Sequence, residues 1–238
     1  MLYLFPNLLA PLESHTAYLP ASIDAAVSEI CALIAENEKE GRRFLRRFTF
    51  KERTFREIPI HLLNEHSTEG DRKTLLKGIV QGGKWGLVSD CGMPCLADPG
   101  ADLVLMAREK GIPIETFSGP SSILFALVLS GLGGQHFTFH GYLPKEENPL
   151  IQELKRIEKI SAKEKSTHLF IETPYRNQRL LEKIVLELHP QTWLSVACDL
   201  TLPSQFVQTK PLNDWKKNPL PDVNKRPAVF LLKSFTPK

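Results

Sequence analysis

The segment Leu87-Val-Ser-Asp-Cys-Gly-Met-Pro-Cys-Leu-Ala-Asp-Pro-Gly100 concentrates chemistry-bearing residues in one turn. Trp85 to Val88 is a short apolar run between Gly82-Gly83 and Ser89-Asp90, the pattern of a buried strand. Gly92 admits backbone angles closed to other residues, while Pro94 and Pro99 each fix φ and remove an N–H donor. Asp98-Pro99 reads as an N-cap and first helical residue, ahead of an apolar face at Leu103, Val104 and Ala107. Free N–H groups at such a turn and helix start favour an anion or a carboxylate. In open α/β sheets, ligands sit beyond the carboxyl ends of the strands, where this turn falls. An ordinary βα connection is written in the same letters.

A second group is basic. Arg42, Arg43, Arg46 and Arg47 share one stretch with Phe44 and Phe48, which suits phosphate contacts and equally suits a solvated helix face. Cys31, Cys91, Cys95 and Cys198 are scattered without a partner set at metal spacing, so reduced thiols and no metal site are expected.

Strands and helices must alternate to position these groups. Extended runs are expected at 2–5, 58–63, 85–88 and 112–117, with helical segments at 21–35, 38–47, 69–80 and 98–110. That alternation predicts a mainly parallel sheet with helices on both faces. Ser118-Gly-Pro120 interrupts it and opens an apolar helix at 121–129, which sets expected domains of 1–117 and 118–238. The second half predicts strands at 137–142, 168–172, 193–198, 205–209 and 229–233, with helices at 149–160 and 176–188. The close spacing of its last strands implies antiparallel pairing and a mixed sheet.

The composition, 42% hydrophobic and 24% charged over 238 residues, is that expected of a folded, soluble protein. A formal charge of +3 tolerates a nucleic-acid partner without arguing for one. The apolar run from Ile123 to Leu129 is far short of a bilayer span, and Met-Leu-Tyr-Leu-Phe-Pro reads as a first strand rather than a signal peptide. A cytoplasmic protein without a membrane partner is expected.

With these blocks in order, the chain resembles the tetrapyrrole methylase superfamily, in the branch of small-subunit ribosomal RNA methyltransferases. The resemblance is carried by Ser89-Asp-x-Gly-x-Pro94 with Asp98-Pro-Gly100, by Ser118-Gly-Pro-Ser-Ser122 leading to Ser130-Gly-Leu132, and by Phe139-His-Gly-Tyr-Leu-Pro144. It continues through Phe170-Ile-Glu-Thr-Pro-Tyr-Arg176 and Ala197-Cys-Asp-Leu-Thr201. It implies two α/β/α domains with S-adenosylmethionine in the cleft between them, usually in a homodimer. It also implies methyl transfer without the Gly-x-Gly-x-x-Gly fingerprint, which follows none of the expected strands.

On this resemblance, Pro6, Asp90, Gly92, Met93, Pro94 and Leu96 are cofactor-binding candidates, the last five as the loop that holds the methionine portion. Ser121 and Ser122 would meet the ribose, although Ser is also a common helix cap. Tyr175 and Ala228 are further cofactor-side candidates. A ribose 2′-hydroxyl acceptor, on a cytidine of small-subunit ribosomal RNA, needs a proton acceptor or a charge-stabilising group within hydrogen-bond reach. His66 and Glu172 are the catalytic candidates, with Glu65, His140, Arg176 and Arg43 on the substrate side. His66 also fits a solvated loop histidine, and Glu172 a brace for the next helix.

The chain departs from the branch at several positions. Pro6-Asn-Leu-Leu-Ala-Pro11 lacks the usual glycine, and Ala35-Glu-Asn-Glu-Lys39 lacks the usual Asp and Arg. Cys198 stands where an Arg is usual, and Gln205 where a Glu is usual. A small-molecule or protein substrate, or a non-catalytic protein that binds cofactor or RNA, therefore stands beside the RNA methyltransferase expectation.

Overall fold

The computed structural model describes residues 1–12 and 14–235. The chain forms two compact units, Met1–Ser121 and Ser122–Lys238, so the division falls after Ser121 where the sequence placed it after residue 117.

Unit 1 contains β1 (Leu2–Phe5), α1 (Ser22–Glu29), β2 (Ala32–Ala35), α2 (Glu38–Leu45) and β3 (Ile60–Leu62). It continues with α3 (Glu69–Val80), β4 (Trp85–Val88), α4 (Ala101–Glu109) and β5 (Ile114–Thr116). The sheet runs β3-β2-β4-β1-β5 and every pairing is parallel, as expected. Parallel central strands are covered on both faces and read as continuous apolar runs, hence Trp-Gly-Leu-Val in β4 and Ala-Leu-Ile-Ala in β2. On one face, Ile23, Val27, Phe44 and Leu45 of α1 and α2 pack with Phe5, Leu33 and Val88. On the other, Leu75, Leu76, Ile79, Leu103 and Ala107 of α3 and α4 pack with Leu2, Ile34 and Leu87.

That arrangement positions the site. Neighbouring strands β1 and β4 send their following helices to opposite faces, so a crevice opens at their carboxyl ends, the switch point at which such sheets take ligands.

The helical expectation for 21–35 is corrected. Helix α1 ends at Glu29, Ile30 turns extended with ψ at 139°, and residues 32–35 form a strand between β3 and β4. A four-residue apolar run buried on both faces carries no periodicity to separate it from a helix. The start of α4 is corrected too. Its N-cap is Gly100 at φ 131°, two residues beyond Asp98, and a Cβ there would lie 2.9 Å from Leu87 Cδ2.

Unit 2 contains α5 (Ser122–Ser130), β6 (Phe137–Tyr142), α6 (Glu147–Glu164), β7 (Thr167–Ile171), a 3-10 turn at Pro174–Arg176 and α7 (Asn177–Glu187). It ends with β8 (Trp193–Cys198), β9 (Phe206–Pro211), α8 (Leu212–Trp215) and β10 (Ala228–Lys233). Its sheet, β6-β7-β10-β8-β9, pairs β6 with β7 in parallel and the rest antiparallel, the mixed sheet expected. Leu154, Ile157, Leu181 and Ile184 of α6 and α7 cover the face that carries Phe170, Val196 and Phe230. Phe170 and Phe230 face each other in register with rings 6.0 Å apart.

Candidate functional site

The turn after β4 is stitched to the turn after β1. Asn7 and Gly92 exchange backbone hydrogen bonds of 2.8 and 3.1 Å, and the Asn7 Nδ2 amide donates to the carbonyls of Ser89 and Asp90 at 3.0 Å each. Its Oδ1 accepts from the Leu8 N–H and from Arg47 Nη1, both at 2.9 Å. Asn7 is 3% exposed, so a polar side chain is buried with its donors and acceptors used. Gly92 sits at φ 73°, where an L side chain is strained. Cys95 and Ala97, at φ 66° and 69°, hold the same disfavoured region without that excuse, and such strain gathers at ligand-binding turns.

A third strand end closes on the turn. Glu36 follows β2 and accepts the Asp90 N–H at 3.0 Å. Asn37 caps α2 by accepting the Glu40 N–H at 2.8 Å, while its Nδ2 donates to both Asp90 carboxylate oxygens at 2.9 Å. Glu36, Asp90 and Asp98 thus crowd one end of the sheet. Burial raises all three carboxyls above their ordinary values, and Asp98 reaches about 7 with Glu36 as the next cause. Burial likewise pushes the Cys91 and Cys95 thiols up to about 11. The anion seat expected from backbone donors is therefore an acidic seat, and it would accept positive charge.

The other candidates lie as follows. In unit 1, Pro6 is buried against Gly119, whose added Cβ would come 2.1 Å from Pro6 Cβ. Met93 is half-buried, Pro94 buried and Leu96 40% exposed on the same turn. Glu65 and His66 stand on the turn after edge strand β3, 3.6 Å from each other and largely in solvent. Glu65 is close enough to raise the Glu36 carboxyl, whereas among the described residues the His66 ring has only Glu65 as an ionic partner. Arg43 pairs with Glu40 at 2.6 Å. Ser121, 3% exposed, closes unit 1, and Ser122 opens α5.

In unit 2, Glu172 Oε1 accepts from the Thr173 N–H at 2.6 Å, from Thr173 Oγ1 at 3.2 Å and from Arg176 Nη2 at 2.5 Å. Glu172 thus braces the Pro174–Arg176 turn. Arg176 stacks on the exposed Tyr175 ring at 5.5 Å. Ala228 opens β10 opposite Cys198. His140 Nε2 meets His168 Nδ1 at 2.8 Å, and His168 Nε2 meets Ser166 Oγ at 2.9 Å. Burial lowers both rings, His168 to about 4, so His140 belongs to an internal polar chain.

Asn7, Glu36, Asn37 and Gly119 were missed as site residues. For the first two the available signal was position, since Asn7 lies two residues and Glu36 one residue beyond the end of a strand of a parallel sheet.

Residues 23–215 match the family described as Tetrapyrrole (Corrin/Porphyrin) Methylases. The chain belongs to the tetrapyrrole methylase family. A relative in Vibrio cholerae serotype O1, named "Ribosomal RNA small subunit methyltransferase I", is 27% identical over 212 residues, 89% of this chain and 69% of that protein. One of the same name in Thermotoga maritima is 30% identical over 185 residues, 76% of this chain and 77% of that one. The fold is shared with a solved methyltransferase, CobJ, at a TM-score of 0.64, 18% identity and coverage of 98% and 93%. The chain therefore lies in the small-subunit methyltransferase branch of the tetrapyrrole methylases, among S-adenosylmethionine-dependent methyltransferases.

Proposed function

We propose that this tetrapyrrole methylase transfers a methyl group from S-adenosylmethionine to the ribose 2′-hydroxyl of a cytidine in small-subunit ribosomal RNA, as a cytoplasmic homodimer. The observation that carries the cofactor reading is the set of carboxyls Glu36, Asp90 and Asp98 around the Asn7–Gly92 stitch. Bound there, S-adenosylmethionine would supply an electrophilic methyl on a positively charged sulfur. The residues present fit its charges, because crowded carboxyls that are costly to ionise alone are relieved by a sulfonium and an ammonium. Names borne by the Vibrio and Thermotoga relatives support the RNA substrate.

The chain's own residues would mainly position. Asn7 and Asn37 hold the Asp90 turn from two sides, and Gly92, Met93, Pro94 and Leu96 present its backbone and apolar surface beside Pro6. Fixing donor and acceptor in line supplies much of the barrier reduction in such a displacement. Ser121, Ser122, Tyr175 and Ala228 are assigned to the cofactor, and Glu65, His140 and Arg176 to the substrate side, on the family pattern. Asp98 joins His66 as a proton-acceptor candidate, because a carboxyl near 7 is half-ionised at neutral pH. Glu172 acts by holding the Arg176 turn.

Calorimetry with S-adenosylmethionine, followed by labelled cofactor and small subunits from a strain lacking the modification, tests the reading. Micromolar binding and label in the RNA are expected. Absence of binding at millimolar cofactor overturns the methyltransferase reading. Tight binding without RNA label favours a small-molecule or protein acceptor, or a non-catalytic binder.

A further inference from the structure

A basic trough leads away from the acidic turn. In unit 1, an open cavity of about 130 Å³ at Asp90 and Cys91 adjoins one of about 370 Å³ at Pro11 and Leu12, and then one of about 440 Å³ at Phe55 and Arg56. Arg43 lines all three, Arg47 the first two and Arg46 the last two, so the cavities form one channel along α2.

The cations along it divide by task. Arg42 Nη1 donates to the carbonyls of Phe55 and Ile58 at 3.0 and 2.7 Å, and Arg47 to Leu12 O and Asn7 Oδ1 at 3.2 and 2.9 Å. Those two build the wall. Lys39 and Arg46 are exposed with no side-chain partner among the described residues, and Arg56 only lies over the Phe55 ring at 5.6 Å. Among the described residues, the lining contains one carboxylate on the α2 side, Glu40, and it is held by Arg43. Burial together with the charges of Arg43 and Arg46 lowers the Arg47 guanidinium from its ordinary value. Like charges are therefore held together by the fold, awaiting an anion that runs the length of the channel.

We propose that this trough binds consecutive phosphates of a single RNA strand, through Lys39, Arg43, Arg46 and Arg56, with the half-buried Phe55 ring as a stacking surface, and so leads the strand toward the Asp90 turn. A row of guanidinium groups along a groove, with the Phe55 ring at one end of it, matches the backbone and a base of a single strand, whereas a compact anion needs only one cluster. The assignment of RNA rests on the function proposed above; the trough's affinity for a polyanion does not.

The test is the double variant Arg46→Ala, Arg56→Ala, chosen because neither side chain holds the fold. Binding of a 12-nucleotide mixed-sequence RNA should weaken at least tenfold, and the slope of log K against log salt should shrink by about 1.4, as loss of two single-strand phosphate contacts requires. Affinity for S-adenosylmethionine and the melting midpoint should stay at wild-type values. Unchanged RNA affinity and slope overturn the trough, as does displacement of the RNA by tripolyphosphate at equal charge. Wild-type protein that methylates small subunits, with an unaltered KM in the double variant, overturns the trough and leaves the enzyme reading intact. Trough-dependent RNA binding without methyl transfer does the reverse.

Discussion

The side-chain amide of Asn37 grips both carboxylate oxygens of Asp90 at 2.9 Å while its own oxygen caps α2. One residue thereby sets the start of a helix and the orientation of the acid at the centre of the proposed cofactor turn. Asp at position 37, the residue usual in the branch, would keep the cap but replace a donor with a fourth carboxylate. Asn37→Asp should therefore cost about 1 kcal/mol at pH 7, with much of it recovered near pH 5 as a proton is shared. Urea midpoints at the two pH values measure this, and equal losses at both would count against the Asp90 contact.

Asp98 carries a pH dependence of defined sign. Its folded value near 7 lies above the ordinary 3.8, so the folded state binds the proton more tightly, and stability present below about 4 is lost as pH rises toward 7. Asp98→Asn should remove that slope and be more stable than wild type at pH 8 but not at pH 4. Parallel stability curves for the two proteins would exclude the raised carboxyl.

His168 gives the opposite slope in unit 2. A ring lowered from 6.5 to about 4 binds its proton less tightly when folded, so stability present above 6.5 is lost as pH falls toward 4. Replacing it in His168→Gln should flatten the acid limb between those values, whatever its cost at pH 7. Chemical denaturation from pH 4 to 7 provides the check.

Gly119→Ala tests the close approach that places Pro6. The new Cβ would sit 2.1 Å from Pro6 Cβ and 2.4 Å from Pro6 Cγ, on a rigid ring that cannot rotate away. Overpacking of this kind costs about 1–3 kcal/mol, and cofactor affinity should fall with it. Alanine at Gly111, where nothing lies within 4 Å but φ is 67°, provides a contrast in which strain alone acts.

Most of the elements and the turn at Asp90 were legible because periodicity, Gly and Pro act locally. Glu36 was hidden because Ala32-Leu-Ile-Ala35 reads as helix until a sheet closes on both its faces. Asn7 was hidden for another reason: its amide reaches carbonyls 82 and 83 positions away, and no window of sequence contains that contact. The acidic character of the seat came from the same long-range assembly, as Glu36 and Asp98 become neighbours only through β2 and β4. Asp98, which reads as a helix cap, yields that place to Gly100.

Strand β1 has a consequence for how the molecule is made. It is bonded to β4 and β5, and not to the β2 that follows it in the chain. A growing chain emerging from the ribosome would hold this first apolar strand without a partner until Trp85–Val88 has been synthesised, a wait of several seconds at roughly 5–20 residues per second. The Asn7–Gly92 stitch can form only after that, so the Asp90 turn should be among the last parts of unit 1 to acquire its shape.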